Sequence, residues 1–365
     1  MIFCEHCFND KEIASIISSV ATSDEGKCPV CHHLSKHLYD TRKHSELTPY
    51  FEDLLSIYSP SNVLPESYPR AETRSLIDDL KDRWNIFSEI PRTQEYEILK
   101  EICSDYIKNN SELLDSTVGI PELYDSKYLY DHALLRNNNW DSFVNEIRTK
   151  NRYHSKMINS SILERCCKAI CKTYRAGALF HRARISERSG FPIDQMSAPP
   201  TEKSSEGRAN ARGIICLYLS SDVDTTIHEV RAGVFDFVSV GTFLLKKDIN
   251  VVDLRSIAVI SPFNSGLDYL EHAINKQYLE KLNAEMSKSL RRSDSTLDYV
   301  PTQYIVDFIK SIENEGKQVY DGIEYNSTTN PGGYNLAIFN PDLFECISVN
   351  VYDIEKLQYA KKQIL

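Results

Sequence analysis

The sequence predicts an α+β fold in three parts: a small cysteine-rich segment at residues 1–47, a helical domain at 48–176, and a domain with a mixed β core at 177–365. Residues 1–47 carry four of the ten cysteines and five of the ten histidines. Apolar side chains at three- and four-residue spacing indicate amphipathic helices in the second part. After residue 176 the pattern changes to short apolar runs with β-branched residues, which are typical of strands.

Length and charge limit the classes of function. The chain of 365 residues is long enough for two or three domains. It has no apolar run near the roughly 18 residues of a membrane span and no secretory signal at its start. We therefore expect a cytoplasmic protein without a membrane partner, whose ten cysteines are thiols or metal ligands. The net charge of −10 argues against broad nucleic-acid binding.

Four helices are predicted in the helical domain. In the first, Leu76, Leu80, Trp84 and Phe87 form an apolar stripe, which we interpret as the side that faces a core. The predicted helices cover Ala71–Phe87, Gln94–Asn109, Trp140–Lys150 and Ser161–Tyr174.

Strands dominate the prediction for the last domain. The predicted strands are Gly213–Leu219, Phe237–Leu245, Ile249–Leu254, Gly322–Tyr325, Leu336–Phe339 and Cys346–Tyr352. Two helices interrupt them, one near Leu267–Leu290 and one that begins after Pro301. The segment Ser186–Asn210 is rich in Ser, Pro, Gly and charge, so we expect it to be a loop over a cleft.

Two Cys-x2-Cys pairs lie near the start of the chain. Cys4 and Cys7 are separated from Cys28 and Cys31 by twenty residues. This spacing is typical of paired knuckles that donate four thiolates to one tetrahedral zinc ion. Because four sulfur ligands leave no open position, the sequence predicts a structural and not a catalytic zinc site.

One arginine, one glutamate and one serine stand at the edges of apolar runs, where a strand would present them at the mouth of a cleft. Arg182 has the forked guanidinium that matches paired phosphate oxygens. Glu229 offers a carboxylate to a sugar whose anomeric carbon becomes cationic during bond cleavage. Ser327 lies near glycines that allow close approach to a ligand. Together they indicate an enzyme that cleaves a nucleotide at a glycosidic bond.

Five motifs follow one another in this half of the chain: FHRAR, GRANARG, LYLSSDVDTTIHEV, VPTQYIVDF and YDGIEYNSTTNPGGYNLAIFNP. In this order they resemble the RES family, over residues 176–350. The resemblance implies an ADP-ribosyltransferase-like fold and the activity of toxins from bacterial toxin–antitoxin modules, which consume NAD. The preceding region resembles the zinc-ribbon and HEPN-like helical segments found ahead of some RES domains. An antitoxin or regulatory protein is then an expected partner.

The resemblance implies that Arg182, Glu229 and Ser327 are the residues that give the family its name, with Tyr218 as a further active-site residue. Arg182 is then expected to hold the NAD diphosphate, and Glu229 to bind the nicotinamide ribose and stabilise its cationic charge. Ser327 is expected to orient the ribose or the nicotinamide end. Glu229 is not part of a zinc-protease HExxH motif, since position 232 is Ala232.

Two more residues enter through the same resemblance. Arg208 is expected to add a second phosphate contact, and Asn335 to brace the Ser327 loop. The chain departs from the family pattern at His181, where tyrosine is usual, and at Ala209, where an aromatic residue is common. NAD would be a consumed substrate and not a redox cofactor, so no Rossmann fingerprint is expected, and the sequence has none.

Two other functions stay open at this point. Arg148 and His154 fit the Arg-x(4–6)-His spacing of HEPN ribonucleases, in which histidine serves as an acid or base. Alternatively, the zinc and helical parts form a non-enzymatic sensor or binding module. The sequence leaves open whether water, phosphate or a protein accepts ADP-ribose, and whether the chain forms a homo-oligomer.

Overall fold

The computed structural model describes residues 1–20, 25–264, 266, 268–288 and 296–357. Packing divides the chain into two compact units. The N-terminal unit comprises residues 1–137 and 259–276, and the C-terminal unit comprises residues 138–258 and 277–365. These units do not coincide with the three domains expected from the sequence, whose limits stay a prediction. Among the described residues, no helix is both long and apolar enough to cross a membrane.

The N-terminal unit is mainly helical. Its helices are Lys11–Val20 (α1), Thr48–Leu55 (α2), Leu76–Asp82 (α3), Arg92–Ile102 (α4), Ser104–Asn109 (α5), Glu112–Asp115 (α6) and Ser126–His132 (α7). Its strands are Ile2–Cys4 (β1), Gly26–Lys27 (β2), Leu34–Ser35 (β3), Leu38–Asp40 (β4), Ser59–Pro60 (β5), Arg74–Ser75 (β6) and Thr117–Gly119 (β7). Strand β1 pairs with β4, β2 pairs with β3, and β7 lies between β5 and β6.

The burial predicted for the stripe is confirmed, because Leu76, Leu80, Trp84 and Phe87 are all buried, but Trp84 and Phe87 lie beyond the end of the helix at Asp82. The helix itself is shorter than predicted. It covers Leu76–Asp82 and not Ala71–Phe87, because Ser75 caps its start by accepting a hydrogen bond from the Asp78 amide at 3.2 Å.

The C-terminal unit contains the large sheet. Its strands are Cys171–Tyr174 (β8), Leu179–Ser186 (β9), Leu217–Ser220 (β10), Phe237–Leu245 (β11), Ile249–Asp253 (β12), Glu313–Asn314 (β13), Lys317–Gln318 (β14), Gly322–Asn326 (β15), Tyr334–Ile338 (β16) and Phe344–Asp353 (β17). Its helices are Trp140–Thr149 (α8), Ser160–Ala169 (α9), Val223–Glu229 (α10), the part of Tyr269–Met286 (α11) after residue 276, and Val300–Ser311 (α12).

Eight strands form one mixed sheet in the order β17-β11-β9-β10-β16-β15-β12-β8. Neighbours are antiparallel except β12 and β15, which are parallel. The mixed β core predicted for the C-terminal half is therefore confirmed. Buried side chains of β9, β10, β11 and β16 pack together on one face, with Phe180, Leu219 and Leu336 among them. On the other face, α10 packs over Ala183 and Val240.

Most predicted elements of this unit are present with small shifts at their ends. The prediction for Ser161–Tyr174 is wrong in its last part, because the helix ends at Ala169 and Cys171–Tyr174 is a strand. Pairing with β12 along four residues explains the change, since a tertiary contact can override a local helical pattern. The limits of the predicted helix Leu267–Leu290 lie outside the described residues. The expected loop Ser186–Asn210 contains short 3-10 turns at Ile193–Gln195 and Thr201–Lys203.

Candidate active site and four-cysteine cluster

A cleft opens where β9 and β10 diverge. These neighbouring strands pair at a single position, Ser220 opposite His181, whereas β9 pairs with β11 along eight residues. The resulting cleft has a volume of about 520 Å³. Its walls come from β9, β10, α10, the β15–β16 connection, the turn at Gly207 and Arg208, and the start of α12.

Glu229 is the last residue of helix α10. The helix begins after Asp222, whose Oδ1 accepts a hydrogen bond from the Thr225 amide at 2.7 Å and caps the helix. The expectation that a strand presents Glu229 is therefore wrong, because this cap starts a helix within the same segment. The helix end places the half-buried carboxylate in the wall of the cleft.

Three side chains donate hydrogen bonds to one oxygen of Glu229. Its Oε1 accepts from Ser327 Oγ at 2.6 Å, from Asn335 Nδ2 at 2.9 Å and from Thr329 Oγ1 at 3.1 Å. Three donors on one oxygen fix the orientation of the carboxylate. The structure thus places Glu229, Ser327 and Asn335 together, as expected for parts of one site.

The loop that carries Ser327 is held close to α10. Ser327 Oγ accepts a hydrogen bond from the Asn330 amide at 3.0 Å, which closes a tight turn. Asn330 Nδ2 donates to Thr225 Oγ1 at 2.9 Å and so ties this turn to the helix. A Cβ atom at Gly333 would lie 2.1 Å from Thr225 Oγ1, so only glycine allows this approach.

Asn335 contacts the carboxylate itself, although it was expected to brace the Ser327 loop. It lies on β16 opposite Ser220 of β10. Its Oδ1 accepts a hydrogen bond from Ser220 Oγ at 2.7 Å, which leaves Nδ2 to donate to Glu229. The register of the sheet therefore fixes one of the three donors around this carboxylate.

Arg182 lies on β9 and lines the cleft. Side chains alternate along a strand, so Arg182 shares the face of Phe180 and not that of Ala183. Its Nη1 donates to the carbonyl oxygen of Met196 at 2.7 Å and also to that of Ser197. Burial, with the neighbouring charge of Arg184, lowers the pKa of Arg182 to about 10, so the guanidinium stays protonated at neutral pH.

Tyr218 shapes the turn that forms one wall of the cleft. Its hydroxyl donates to Asn210 Oδ1 at 2.6 Å and accepts from the Ala209 amide at 3.0 Å. Burial raises the pKa of Tyr218 well above its usual range, so the residue remains a neutral phenol. Gln303 Nε2 holds the same turn by donating to the Gly207 carbonyl at 2.9 Å.

Arg208 lines the cleft, but its guanidinium is largely engaged elsewhere. Nη1 donates to the carbonyl oxygens of Glu285 at 2.9 Å and Met286 at 2.6 Å, and Nη2 donates to that of Lys288 at 2.6 Å. These carbonyls belong to the end of α11, where backbone acceptors lack partners within the helix. Arg208 therefore caps the end of α11. This role differs from the phosphate contact that was expected from the sequence.

Sequence reasoning missed two residues of the site. Thr329 donates to Glu229, and Gln303 fixes the turn at Gly207. Both lie inside motifs that carry the resemblance, but their side chains act on residues 96 and 100 positions away. Spacing within a motif does not reveal such contacts.

The charge in the cleft is positive. Arg182, Arg208 and Arg231 line it, whereas Glu229 is the one carboxylate among its described lining residues. The whole chain has a net charge of −10, so the cleft is a local exception. Such a surface favours an anionic ligand.

The four cysteines of the N-terminal unit converge. Their sulfur atoms all lie within 4.8 Å of one another, with 3.4 Å between Cys4 and Cys31 and 3.7 Å between Cys7 and Cys28. Zinc–sulfur bonds of about 2.3 Å in a tetrahedron place sulfur atoms about 3.8 Å apart. These distances and the four thiol donors fit a zinc ion.

Arg148 and His154 do not form a comparable site. Arg148 Nη2 makes an ion pair with Asp298 Oδ1 at 2.9 Å. His154 is exposed, and its backbone amide donates a hydrogen bond to Asn151 Oδ1 at 3.1 Å. The arginine is therefore engaged in a structural contact.

Residues 179–360 match the protein family described as RES domain. The match extends from the strand that carries Arg182 past β17, and it includes every residue of the cleft named above. The chain therefore contains a RES domain and through it belongs to the RES-domain family. No curated protein and no solved structure matches the chain significantly.

Proposed function

We propose that the protein is an enzyme that cleaves NAD between nicotinamide and ribose and transfers ADP-ribose to water, phosphate or a protein side chain. The observation that carries this proposal is the carboxylate of Glu229, oriented by three hydrogen-bond donors within a cleft lined by three arginines. NAD presents the complementary charges, because its diphosphate is anionic and its ribose becomes cationic as nicotinamide departs.

In the proposed reaction the bond between ribose C1′ and the nicotinamide nitrogen breaks, and nicotinamide leaves with the electron pair. Glu229 stabilises the positive charge that develops on the ribose. An oxygen of the acceptor then bonds to C1′, and its proton is lost to solvent. The donors from Ser327, Thr329 and Asn335 all reach Oε1. We assign Oε2 to accept a hydrogen bond from a ribose hydroxyl.

Arg182 and Tyr218 act at the walls of the cleft in this proposal. The Nη1 atom of Arg182 anchors the guanidinium to the loop at Met196, and its Nε and Nη2 donors are assigned to the substrate diphosphate. Tyr218 keeps the Gly207–Asn210 turn in shape through its hydroxyl. Its contribution is to position that wall and not to transfer a proton, since its pKa is strongly raised.

An enzyme that consumes NAD harms the cell that makes it. We therefore infer that the protein is a toxin or defence effector of the cytoplasm whose activity is held in check by an antitoxin or a regulatory protein. The residues before 177 are assigned to regulation or targeting, since every residue assigned to NAD lies after them. Cys4, Cys7, Cys28 and Cys31 are assigned to a structural zinc ion, which stabilises the fold around them.

The test is NAD turnover by the purified full chain and by Glu229→Gln. This change preserves size but removes the charge, so turnover should fall by about a hundredfold or more. Chromatography with mass spectrometry should detect nicotinamide together with ADP-ribose, or with a phosphorylated ADP-ribose when phosphate is added. Glu345→Gln, at an exposed position on β17, is the matched control and should retain full turnover.

Equal NAD consumption by wild type and Glu229→Gln would show that Glu229 has no part in the reaction. The ribonuclease alternative makes a different prediction, namely RNA cleavage that His154→Ala abolishes. The ion pair of Arg148 with Asp298 favours NAD cleavage over that alternative. Nucleotide binding without turnover would instead favour a sensor or binding module.

A further inference from the structure

Arg231 occupies a backbone position that favours glycine. Helix α10 ends at Glu229, Val230 is its C-cap, and the Arg231 amide donates to the His228 carbonyl at 3.0 Å. Arg231 has a φ of 53°, in the left-handed region. Helices often end in this conformation, but usually with glycine, because a Cβ atom is crowded there. An arginine at this position is therefore unfavourable for the backbone.

The side chain of Arg231 is exposed and lines the cleft, two residues after Glu229. The other arginines of the cleft are placed differently. Arg182 and Arg208 are both half-buried, so Arg231 is the exposed one of the three arginines that line the described part of the cleft.

We infer that Arg231 binds the diphosphate of the nucleotide substrate, the second phosphate contact that was expected of Arg208. This inference rests on the proposed function. A guanidinium matches paired phosphate oxygens through two parallel hydrogen bonds. Backbone strain that is retained next to a cleft is typical of residues whose side chains contact a ligand.

A purely structural role makes a distinct prediction. A cation near the C-terminal end of a helix interacts favourably with the helix dipole, so Arg231 could serve α10 alone. In that case removal of the side chain lowers stability and affects every substrate equally. If Arg231 binds phosphate, its removal affects only ligands that contain phosphate, and glycine relieves the strained backbone.

The experiment compares the full chain with Arg231→Gly and Arg231→Lys on two substrates. NAD and nicotinamide riboside share the bond to be broken, but the riboside has no phosphate. We expect Arg231→Gly to lower kcat/KM for NAD by about tenfold to a hundredfold, as for a lost charge-assisted hydrogen bond. For the riboside kcat/KM should stay within about twofold, and the melting temperature should be unchanged or higher. Arg231→Lys should restore part of the loss, since lysine keeps the charge without the fork.

Arg188→Ala, at an exposed position on the loop after β9, is the matched control and should leave both substrates unaffected. An equal loss for NAD and riboside in Arg231→Gly, or no loss for NAD, overturns the inference. Calorimetric binding of ADP-ribose gives a second readout that does not depend on turnover. If wild type binds ADP-ribose about tenfold more tightly than Arg231→Gly but cleaves neither substrate, the inference holds and the proposed function fails. Unchanged ADP-ribose binding overturns the inference whether or not NAD is cleaved.

Discussion

The four-cysteine cluster and the cleft are both groups of converging side chains, but the chain builds them differently. The cysteines come from a short stretch, with 27 positions between Cys4 and Cys31. In the cleft, Ser327 and Asn335 contact Glu229 from 98 and 106 positions away. A cluster of the first kind depends on two tight turns. A cluster of the second kind depends on the register of a sheet, so its geometry changes whenever the strand pairing around it changes.

The two sites should therefore differ in how much they contribute to the folding free energy. Metal binding to a local cluster contributes directly to the folding free energy of the segment around it. The hydrogen bonds at Glu229 contribute little to stability by comparison, because each replaces a bond to water. The cluster should therefore control whether its unit folds, and the cleft should control catalysis.

The largest expected effect is that of Cys28→Ser, which removes one of the four sulfur ligands. Apparent zinc affinities of about 10–16 kcal/mol mean that the N-terminal unit should lose most of its stability. Elemental analysis should find one zinc per chain in the parent and much less in the variant. The chain has two tryptophans, so Trp140→Phe leaves Trp84 as a fluorescent reporter of this unit.

Cys103→Ala is the matched control, because Cys103 is a buried thiol of the same unit outside the cluster. It should retain zinc. NAD turnover in Cys28→Ser should persist, since the cleft residues all belong to the other unit. A folded parent without zinc would contradict the metal site, and loss of turnover along with the Trp84 signal would contradict the separation of the two sites.

The next effect concerns acid stability of the N-terminal unit. Burial, together with the charge of Lys276, lowers the pKa of His272 to about 3. The unfolded chain binds this proton near pH 6.5, so the neutral imidazole stabilises the fold above that pH. This contribution is lost at about 1.4 kcal/mol per pH unit as the pH falls from 6.5 towards 3.

Urea unfolding of the Trp140→Phe chain at pH 7.5 and 5.0 should show this loss, because the Trp84 ring lies 5.2 Å from that of His272. His272→Phe should remove this pH dependence of the free energy of unfolding. His132→Phe, which replaces a half-buried histidine, should leave it unchanged. If the free energy of unfolding falls between pH 7.5 and 5.0 by the same amount with and without His272→Phe, the acid sensitivity belongs to other groups.

The smallest effect should come from Gly207→Ala in the wall of the cleft. The added Cβ would lie 2.6 Å from Tyr218 Oη and 3.0 Å from Asn210 Oδ1. Such overpacking costs about 1–3 kcal/mol and should displace the turn. We expect a lower melting temperature and a several-fold loss of NAD turnover.

Tyr218→Phe in the same chain tests the cause, because it removes the clashing oxygen and should recover part of the stability. Gly233→Ala is the control, since its nearest heavy atom would lie at 3.4 Å, an ordinary contact. If Gly207→Ala is as stable and active as Gly233→Ala, the turn does not need glycine and the wall of the cleft is less tightly built than the distances imply.

The sequence was most informative where a pattern is local. Strand Phe237–Leu245 has its predicted limits, because alternating β-branched residues are a property of the segment itself. The cysteine spacing likewise predicted the cluster that the structure brings together. The short strand Cys171–Tyr174 was missed, since pairing with β12 decides its conformation.

In the cleft, sequence reasoning identified residue types but not all of their partners. Arg208 has the right chemistry for a phosphate, yet helix-end carbonyls 77 to 80 positions away accept its hydrogen bonds. The role of Thr329 was not predicted, because a threonine in a polar loop belongs to no distinctive sequence pattern. Arg231 could be recognised only after the structure showed its left-handed backbone beside the cleft.

The separation of Ser327 and Asn335 from Glu229 along the chain has a consequence for biosynthesis. The ribosome makes Glu229 98 residues before Ser327 and 106 residues before Asn335. At a synthesis rate of about 5–20 residues per second, the hydrogen-bond donors are made roughly 5–20 s after the carboxylate. Strand β10 is likewise made well before β16, the neighbour with which it pairs along its whole length. A nascent chain therefore grows by about a hundred residues after Glu229 before the two sides of the cleft can meet.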